Sequence, residues 1–207
     1  MTERAPTRRR EETRRRLVEA AYEVFSERGI RDTPVELICE RAGFSRGAFY
    51  SNFTSKEDLF LALSHREFTA RLDRVRAAVT AVAPAPDKGL HDTLAEAARV
   101  FMTALGEDKN WYLLALEFRI HGLRQDDLRP RIAAEQARLQ AALAEVLADG
   151  FGRLGFRLVV PAAEAVRVLV ALYEQALQEF LLSGEDEDRF FAPVMARVLG
   201  SLVTRVG

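Results

Sequence analysis

Apolar residues recur at helical spacing along almost the whole chain, and no convincing run alternates with period two. Leu17, Ala20, Ala21, Val24 and Phe25 follow i, i+3, i+4, i+7, i+8 spacing, which predicts a first amphipathic helix stopped by Gly29. A short helix is expected from about Val35 to Arg41, with Thr33 as N-cap, Pro34 at the first helical position and Glu36 completing a capping box. Gly43 supplies a tight turn, and Ser45 caps a third helix from about Arg46 to Tyr50. Ser55 and Asp58 cap a much longer fourth helix to about Val82, whose Phe68, Leu72, Val75 and Val79 form an apolar seam. Ala83-Pro84-Ala85-Pro86 breaks the pattern and reads as a linker. Long helices then follow at roughly 89–105, 109–121, 127–149, 162–183 and 187–205, punctuated by Gly106, Gly122, Gly150 and Gly184, with Pro130 and Pro161 in first turns. The expected class is all-α with about nine helices. A three-helix module in residues 1–60 is joined by the long fourth helix to a helical body in residues 61–207.

Composition narrows this picture only slightly. Of the 207 residues 48% are apolar and 29% charged, which is ordinary for a soluble globular protein. No stretch approaches the roughly 18 uninterrupted apolar residues of a membrane span. No apolar signal core follows the N-terminal arginines, and the one cysteine, Cys39, fits a reducing compartment. The expected location is the cytoplasm, with no membrane partner. Net charge is only −1, but residues 1–16 hold seven arginines against three glutamates. That arm, expected to be disordered to about residue 12, reads either as a phosphate-binding element or as a frayed, solvated helix start.

The chemistry concentrates in TPVELICERAGFSRGAFYSNFTSKEDLF, residues 33–60. A short helix, a glycine-containing turn and a second short helix make a helix-turn-helix, in which Ala42 and Gly43 must be small. Ile38, Phe49 and Phe53 would form its miniature core with Val24, Phe25 and Leu59, leaving Arg46, Gly47 and Tyr50 outward, where a second helix enters a major groove.

This stretch closely resembles the N-terminal signature of the tetracycline-repressor (TetR) family, above all in AGFSRGAFYSNFTSKEDLF. The resemblance covers about the first 60 residues; beyond them only helix number and length agree. It implies that Ser45, Arg46, Gly47 and Ala48 meet DNA and that Tyr50, Asn52 and Lys56 hold phosphates. The residue chemistry agrees: a lysine, a phenol and an amide can hold phosphates, and an arginine can grip guanine O6 and N7. Pro34 departs from the family pattern, where a hydroxyl residue is common, and puts one phosphate contact in doubt. Cys39 replaces the usual alanine and reads either as a thiol sensor or as a small buried apolar residue.

Residues 150–155, GFGRLG, match GxGxxG, but with no strand pattern before them they read as an interhelical loop rather than a dinucleotide site. His65, His91 and His121 lack metal-ligand spacing, and nothing nominates a catalytic group. The expectation is therefore no metal, no cofactor and no enzyme. Residues 109–121, apolar on nearly every side, carry Glu117, Arg119 and His121, and an effector pocket is expected from Phe101, Met102, Trp111, Phe118, His121, Tyr173 and Glu174. Phe190, Val194, Val198 and Leu202 recur every four residues, and Val166, Val170, Tyr173 and Leu177 do nearly the same. Paired across a twofold axis, these helices would form a four-helix bundle, with Tyr173, Leu177, Phe190, Val194, Val198 and Leu202 at a homodimer interface. The expected function is a homodimeric DNA-binding transcriptional regulator, a repressor released from a palindromic double-stranded operator by a small apolar or amphipathic effector. The alternative is a helix-turn-helix protein without an effector, architectural or governed by a partner.

Overall fold

A computed structural model describes the backbone of residues 8–82, 89–106, 108–184 and 187–206; the side chains of Leu90, His91, Met102, Leu105 and residues 187–192 are outside the described set. The linker expected at 83–86 and the arm before residue 8 also lie outside the described residues. Among those described, the helices are α1 (Arg8–Arg28), α2 (Val35–Ala42), α3 (Arg46–Tyr50), α4 (Lys56–Ala81), α5 (Leu90–Leu105), α6 (Lys109–Leu123), α7 (Arg129–Arg153), α8 (Ala162–Ser183) and α9 (Glu187–Leu202). Two short strands, β1 (Phe156–Leu158) and β2 (Val203–Arg205), pair antiparallel with Phe156 opposite Arg205. No described helix is long and apolar enough to cross a membrane.

The described part of α1 already includes residues 8–12 of the arm expected to be disordered. Helix begins at Arg8, and Arg15 bridges Glu12 at 2.6 Å and Glu19 at 2.7 Å along one exposed face, the i, i+3 and i, i+4 pairing that supports an exposed helix start. The cap of α2 is corrected. Pro34, not Thr33, occupies the N-cap position without a side-chain bond, and the buried Thr33 hydroxyl donates instead to the Gly29 carbonyl at 2.6 Å. Ser45 caps α3 as expected, accepting from the Ala48 N–H at 3.2 Å. Ser55 accepts from the Asp58 N–H at 3.2 Å, and the Asp58 carboxylate takes the Thr54 N–H at 3.1 Å in return.

Two glycines taken as stops lie inside helices, where their role is close packing. A Cβ at Gly150 would sit 2.5 Å from Val79 Cγ1, and one at Gly122 would collide with Ile132 Cδ1. Accordingly α7 runs on to Arg153, and the GFGRLG segment is mostly its last turn rather than a loop. The chain then turns at Gly155 (φ 77°) into β1, and α9 stops at Leu202 because Val203–Arg205 pair with that strand. Strands of three residues, 45 positions apart, are too short for a period-two signal.

Two compact units divide within α4, at Phe68/Thr69, and within α7, at Glu135/Gln136. The first holds α1–α3, the start of α4, α6 and the start of α7. Its core joins Leu17, Phe25, Ile38, Phe49, Phe53, Leu59 and Phe60 to Trp111, Leu114, Phe118 and Leu128. The Phe60 ring stacks on Phe118 (centroids 4.1 Å apart) and on Trp111 (5.8 Å, planes 6° apart). The second unit holds the rest of α4 and α7 with α5, α8, α9 and the strands; α5 and α8 both pack on α9, burying Leu94, Ala98, Met195, Ala196 and Leu199.

Asp58 carries a pH signature. Burial works to raise its pKa, but hydrogen bonds from Thr54 and the Arg131 guanidinium outweigh this and hold the carboxyl below its usual range. A depressed folded-state pKa stabilises above the unfolded value of about 3.9, and that contribution is lost as pH falls through the folded value. Asp58→Asn is therefore expected to lose about 1–2 kcal/mol at neutral pH. Its denaturant midpoint should converge on the wild-type midpoint below about pH 4. A constant gap across pH 3–7 would refute this role.

Candidate functional site

The helix-turn-helix is assembled from residues whose conformations are locally dictated. Gly43 ends α2 at φ 73°, a left-handed geometry that costs other residues steric strain, and the Phe44 N–H closes onto the Cys39 carbonyl at 2.9 Å. Phe49 is fully buried and Phe53 packs on it with centroids 5.9 Å apart. With that face of α3 anchored inward, Ser45, Arg46, Gly47 and Tyr50 are exposed and Ala48 is half-buried. Arg46 pairs with Glu36 of α2 at 2.6 Å. A hydrogen bond with Tyr50, then the Glu36 charge, holds its guanidinium above the ordinary arginine range.

A second set of arginines, which the sequence reading treated only as a charged arm, packs on this module. Arg10 and Arg14 donate to the Ser51 and Asn52 carbonyls just past α3. Arg14 lies over the Phe53 ring at 4.3 Å and Arg16 over Phe44 at 5.0 Å. The spacing Arg10, Arg14 along one helical face was the available signal. A five-residue helix has little stability of its own; here Ser45 secures one end and the α1 arginines hold the turn after the other.

Two residues expected at phosphates donate hydrogen bonds inside the protein. The Lys56 ammonium donates to the carbonyls of Ile30 (3.0 Å), Arg31 (3.1 Å) and Thr33 (2.7 Å), which uses all three of its hydrogens. Asn52 donates its amide to the Ala48 carbonyl at 2.8 Å. From the other direction, Glu117 of α6 accepts from the Ile30 and Arg31 N–H groups, at 3.0 Å each. The α1–α2 loop is thus clasped by a cation on its carbonyls and an anion on its amides.

Cys39 is buried, and burial, then the Glu36 charge, pushes its thiol pKa up. A protonated, enclosed thiol is a poor nucleophile. Cys39→Ala should keep wild-type DNA binding, and mild oxidant should leave binding by both proteins unchanged.

The expected effector residues are shared between the two units. Trp111 and Phe118 belong to the core around Phe60, and His121 faces Glu57 at 3.6 Å and Gln125 at 3.0 Å in the first unit. Tyr173 is buried and Glu174 half-buried on α8, while the Met102 side chain is outside the described residues. The second unit contains a cavity of about 50 Å³. Of the expected residues that are described only Phe101 lines it, with Val79, Val82, Val100, Phe151 and Leu169 among its neighbours; every lining side chain among the described residues is apolar. The expected interface divides similarly. Tyr173 and Leu177 face the chain's own core, Val194, Val198 and Leu202 are half-buried, and the Phe190 side chain is outside the described residues. On α8 the open apolar line is instead Val168, Leu172, Ala176 and Phe180, with Val168 45% and Phe180 38% exposed.

A Ser45-capped short helix, anchored by Phe49 and set against α2 across a glycine turn, completes a helix-turn-helix, the form of a DNA-binding module. Residues 17–63 match the model of the bacterial regulatory proteins of the tetR family. The chain is similar to the HTH-type transcriptional regulator SrpR of Pseudomonas putida, 41% identical over 64 residues that span 30% of each protein. Over 194 residues, 93% of each chain, it is 23% identical to the HTH-type transcriptional regulator UidR of Escherichia coli K12. Among solved structures it resembles the transcriptional regulator FadR of Bacillus subtilis in complex with stearoyl-CoA, with a TM-score of 0.60, 20% identity, and 90% and 95% of the two chains covered.

Proposed function

We propose that this chain is a homodimeric, cytoplasmic repressor that reads a palindromic operator with α3 and is released from it by a small apolar effector. The outward row Ser45, Arg46, Gly47 and Tyr50 carries this reading. It combines a base-reading guanidinium, a glycine permitting close backbone approach and a phenol for phosphate. Ala48 flanks the same contact, and Arg10 and Arg14 hold the turn behind it. Selection of bound duplexes from a random pool tests the reading. Two half-sites about 34–36 Å apart should emerge, and Arg46→Ala should cost about 1–3 kcal/mol and relax preference at one base pair per half-site. A pool with no enriched sequence would refute it.

The dimer is proposed to form through Val168, Leu172, Ala176 and Phe180 of α8 with Val194, Val198 and Leu202 of α9. Charged groups cannot be buried unpaired at such a face. Val168→Asp with Phe180→Asp should leave a folded monomer that no longer binds a palindrome, as read by light scattering. A full-mass dimer would overturn this interface.

The effector is proposed to occupy the apolar cavity of the second unit. About 50 Å³ corresponds to roughly four water-sized groups, so the fit is to a short alkyl chain with its polar end outside. Linkage demands that operator DNA weaken effector binding by the factor by which effector weakens operator binding. Calorimetry of a C4–C8 alkanol or carboxylate series, with and without operator, measures both sides. Equal effector affinities in the two conditions would remove the inducer role, and Ala97→Phe should abolish binding by filling the cavity.

A further inference from the structure

The ion pair between Glu36 and Arg46 has no evident role in holding the fold. Both side chains are more than half exposed, 54% and 61%, and exposed pairs contribute little to stability. The sequence assigns Glu36 to a capping box, yet Thr33 has turned inward to Gly29 and Pro34 caps α2 without a side-chain bond. The carboxylate reaches across to α3 instead, and Arg46 is bracketed by Glu36 on one side and the Tyr50 phenol on the other.

An acidic group at this place is a liability for DNA binding in general, because every duplex presents phosphates that repel it. It also neutralises the one arginine side chain that α3 presents outward. An Arg46 that swung toward a phosphate would have to leave Glu36. One that stayed beside Glu36 would still have donors to spare, since a guanidinium has five N–H groups, and could meet guanine O6 and N7 with two of them.

Building on the reading of α3 as the recognition helix, we infer that Glu36 is a specificity-determining residue: it positions Arg46 for a base edge and withholds it from the phosphate backbone. Discrimination would then arise partly by penalising wrong partners. Glu36 thus trades overall DNA affinity for selectivity, and Arg46 is the residue through which it acts.

Glu36→Gln keeps the size and removes the charge, while Glu36→Asp keeps the charge and shortens the reach. Each is compared with wild type on the selected operator and on a scrambled duplex, between about 50 and 200 mM salt. Glu36→Gln should bind scrambled DNA about five- to tenfold more tightly at the low-salt end, with a salt slope steeper by about 0.9 as Arg46 becomes free for one more phosphate. Operator affinity should rise by less, so the specificity ratio falls. Glu36→Asp should lose discrimination without gaining the full affinity for scrambled DNA. In an Arg46→Ala background the loss of selectivity should vanish, leaving only a smaller, sequence-independent gain from relief of the carboxylate's own repulsion.

An equal loss of affinity for both duplexes would make Glu36 merely structural. A gain on scrambled DNA that persists in full without Arg46 would reduce it to plain repulsion, and a changed base preference in that background would make it a reader in its own right. Each of these overturns the inference. Should wild type select no sequence at all, the recognition-helix reading itself falls; should wild type select one that Glu36→Gln discriminates equally well, only the present inference falls.

Discussion

Phe60→Ala is expected to destabilise the first unit by about 3–5 kcal/mol, the range for truncating a fully buried phenylalanine. The ring is 1% exposed and stands between three others, at 4.1 Å from Phe118, 5.8 Å from Trp111 and 6.2 Å from Phe25. These rings come from α1, α4 and α6, so the void cannot be closed by one side chain turning over. The loss includes stacking energy of about 0.5–1.5 kcal/mol per aromatic pair. For a chain of this length that corresponds to a Tm lower by roughly 6–20 °C, with DNA binding failing in parallel. Phe60→Leu, which refills much of the volume, should recover most of the deficit. A Phe60→Ala melting curve within about 2 °C of wild type would show that the aromatic cluster does not stabilise this unit.

Lys56→Ala is expected to cost about 2–4 kcal/mol, since bonds to a charged donor contribute about 1.5–3 kcal/mol each and do not add in full. Three carbonyls of the α1–α2 loop lose their partner at once, and the loop retains only the Glu117 side of its clasp. The measurement that separates this from phosphate binding is the salt dependence of operator affinity, taken well below the melting point. A lysine that neutralises a phosphate flattens the slope by about 0.9 when removed. A lysine spent on carbonyls leaves the slope unchanged and lowers the Tm. A flattened slope with an unchanged Tm would return Lys56 to the DNA.

The residues that were legible in the sequence are those whose roles are decided within a few positions. Ser45 caps α3 because a hydroxyl three residues before a free N–H has little else to do, and Phe49 and Phe53 are buried because α3 is too short to hide them elsewhere. Lys56 was not legible, because a lysine at the start of a helix serves a phosphate or a carbonyl equally well and only the position of the α1–α2 loop decides. Trp111 and Phe118 were assigned to a pocket because α6 is apolar on nearly every side, so periodicity could not say which face was covered. Phe60, some fifty positions earlier, settles it. Tyr173 and Leu177, expected at the interface, are buried within the chain for a related reason. Two apolar lines run along α8, and the sequence offers no means of telling which one the chain keeps for itself. The paired strands were invisible because a three-residue segment carries too little alternation to distinguish it from a helix end.

The position of Trp111 gives the protein a natural optical reporter of a particular kind. It is the one tryptophan in the chain, it stacks on Phe60 in the first unit, and it is not among the described residues that line the apolar cavity of the second. A compound entering the cavity therefore has no indole to quench by contact. Its arrival should be silent in emission unless the packing around Phe60 responds, and a spectral change at saturation then measures the response of the first unit and not mere occupancy. Occupancy read by calorimetry and emission read by fluorescence become two separate titrations of one sample, and the difference between them distinguishes a molecule that signals from one that merely binds.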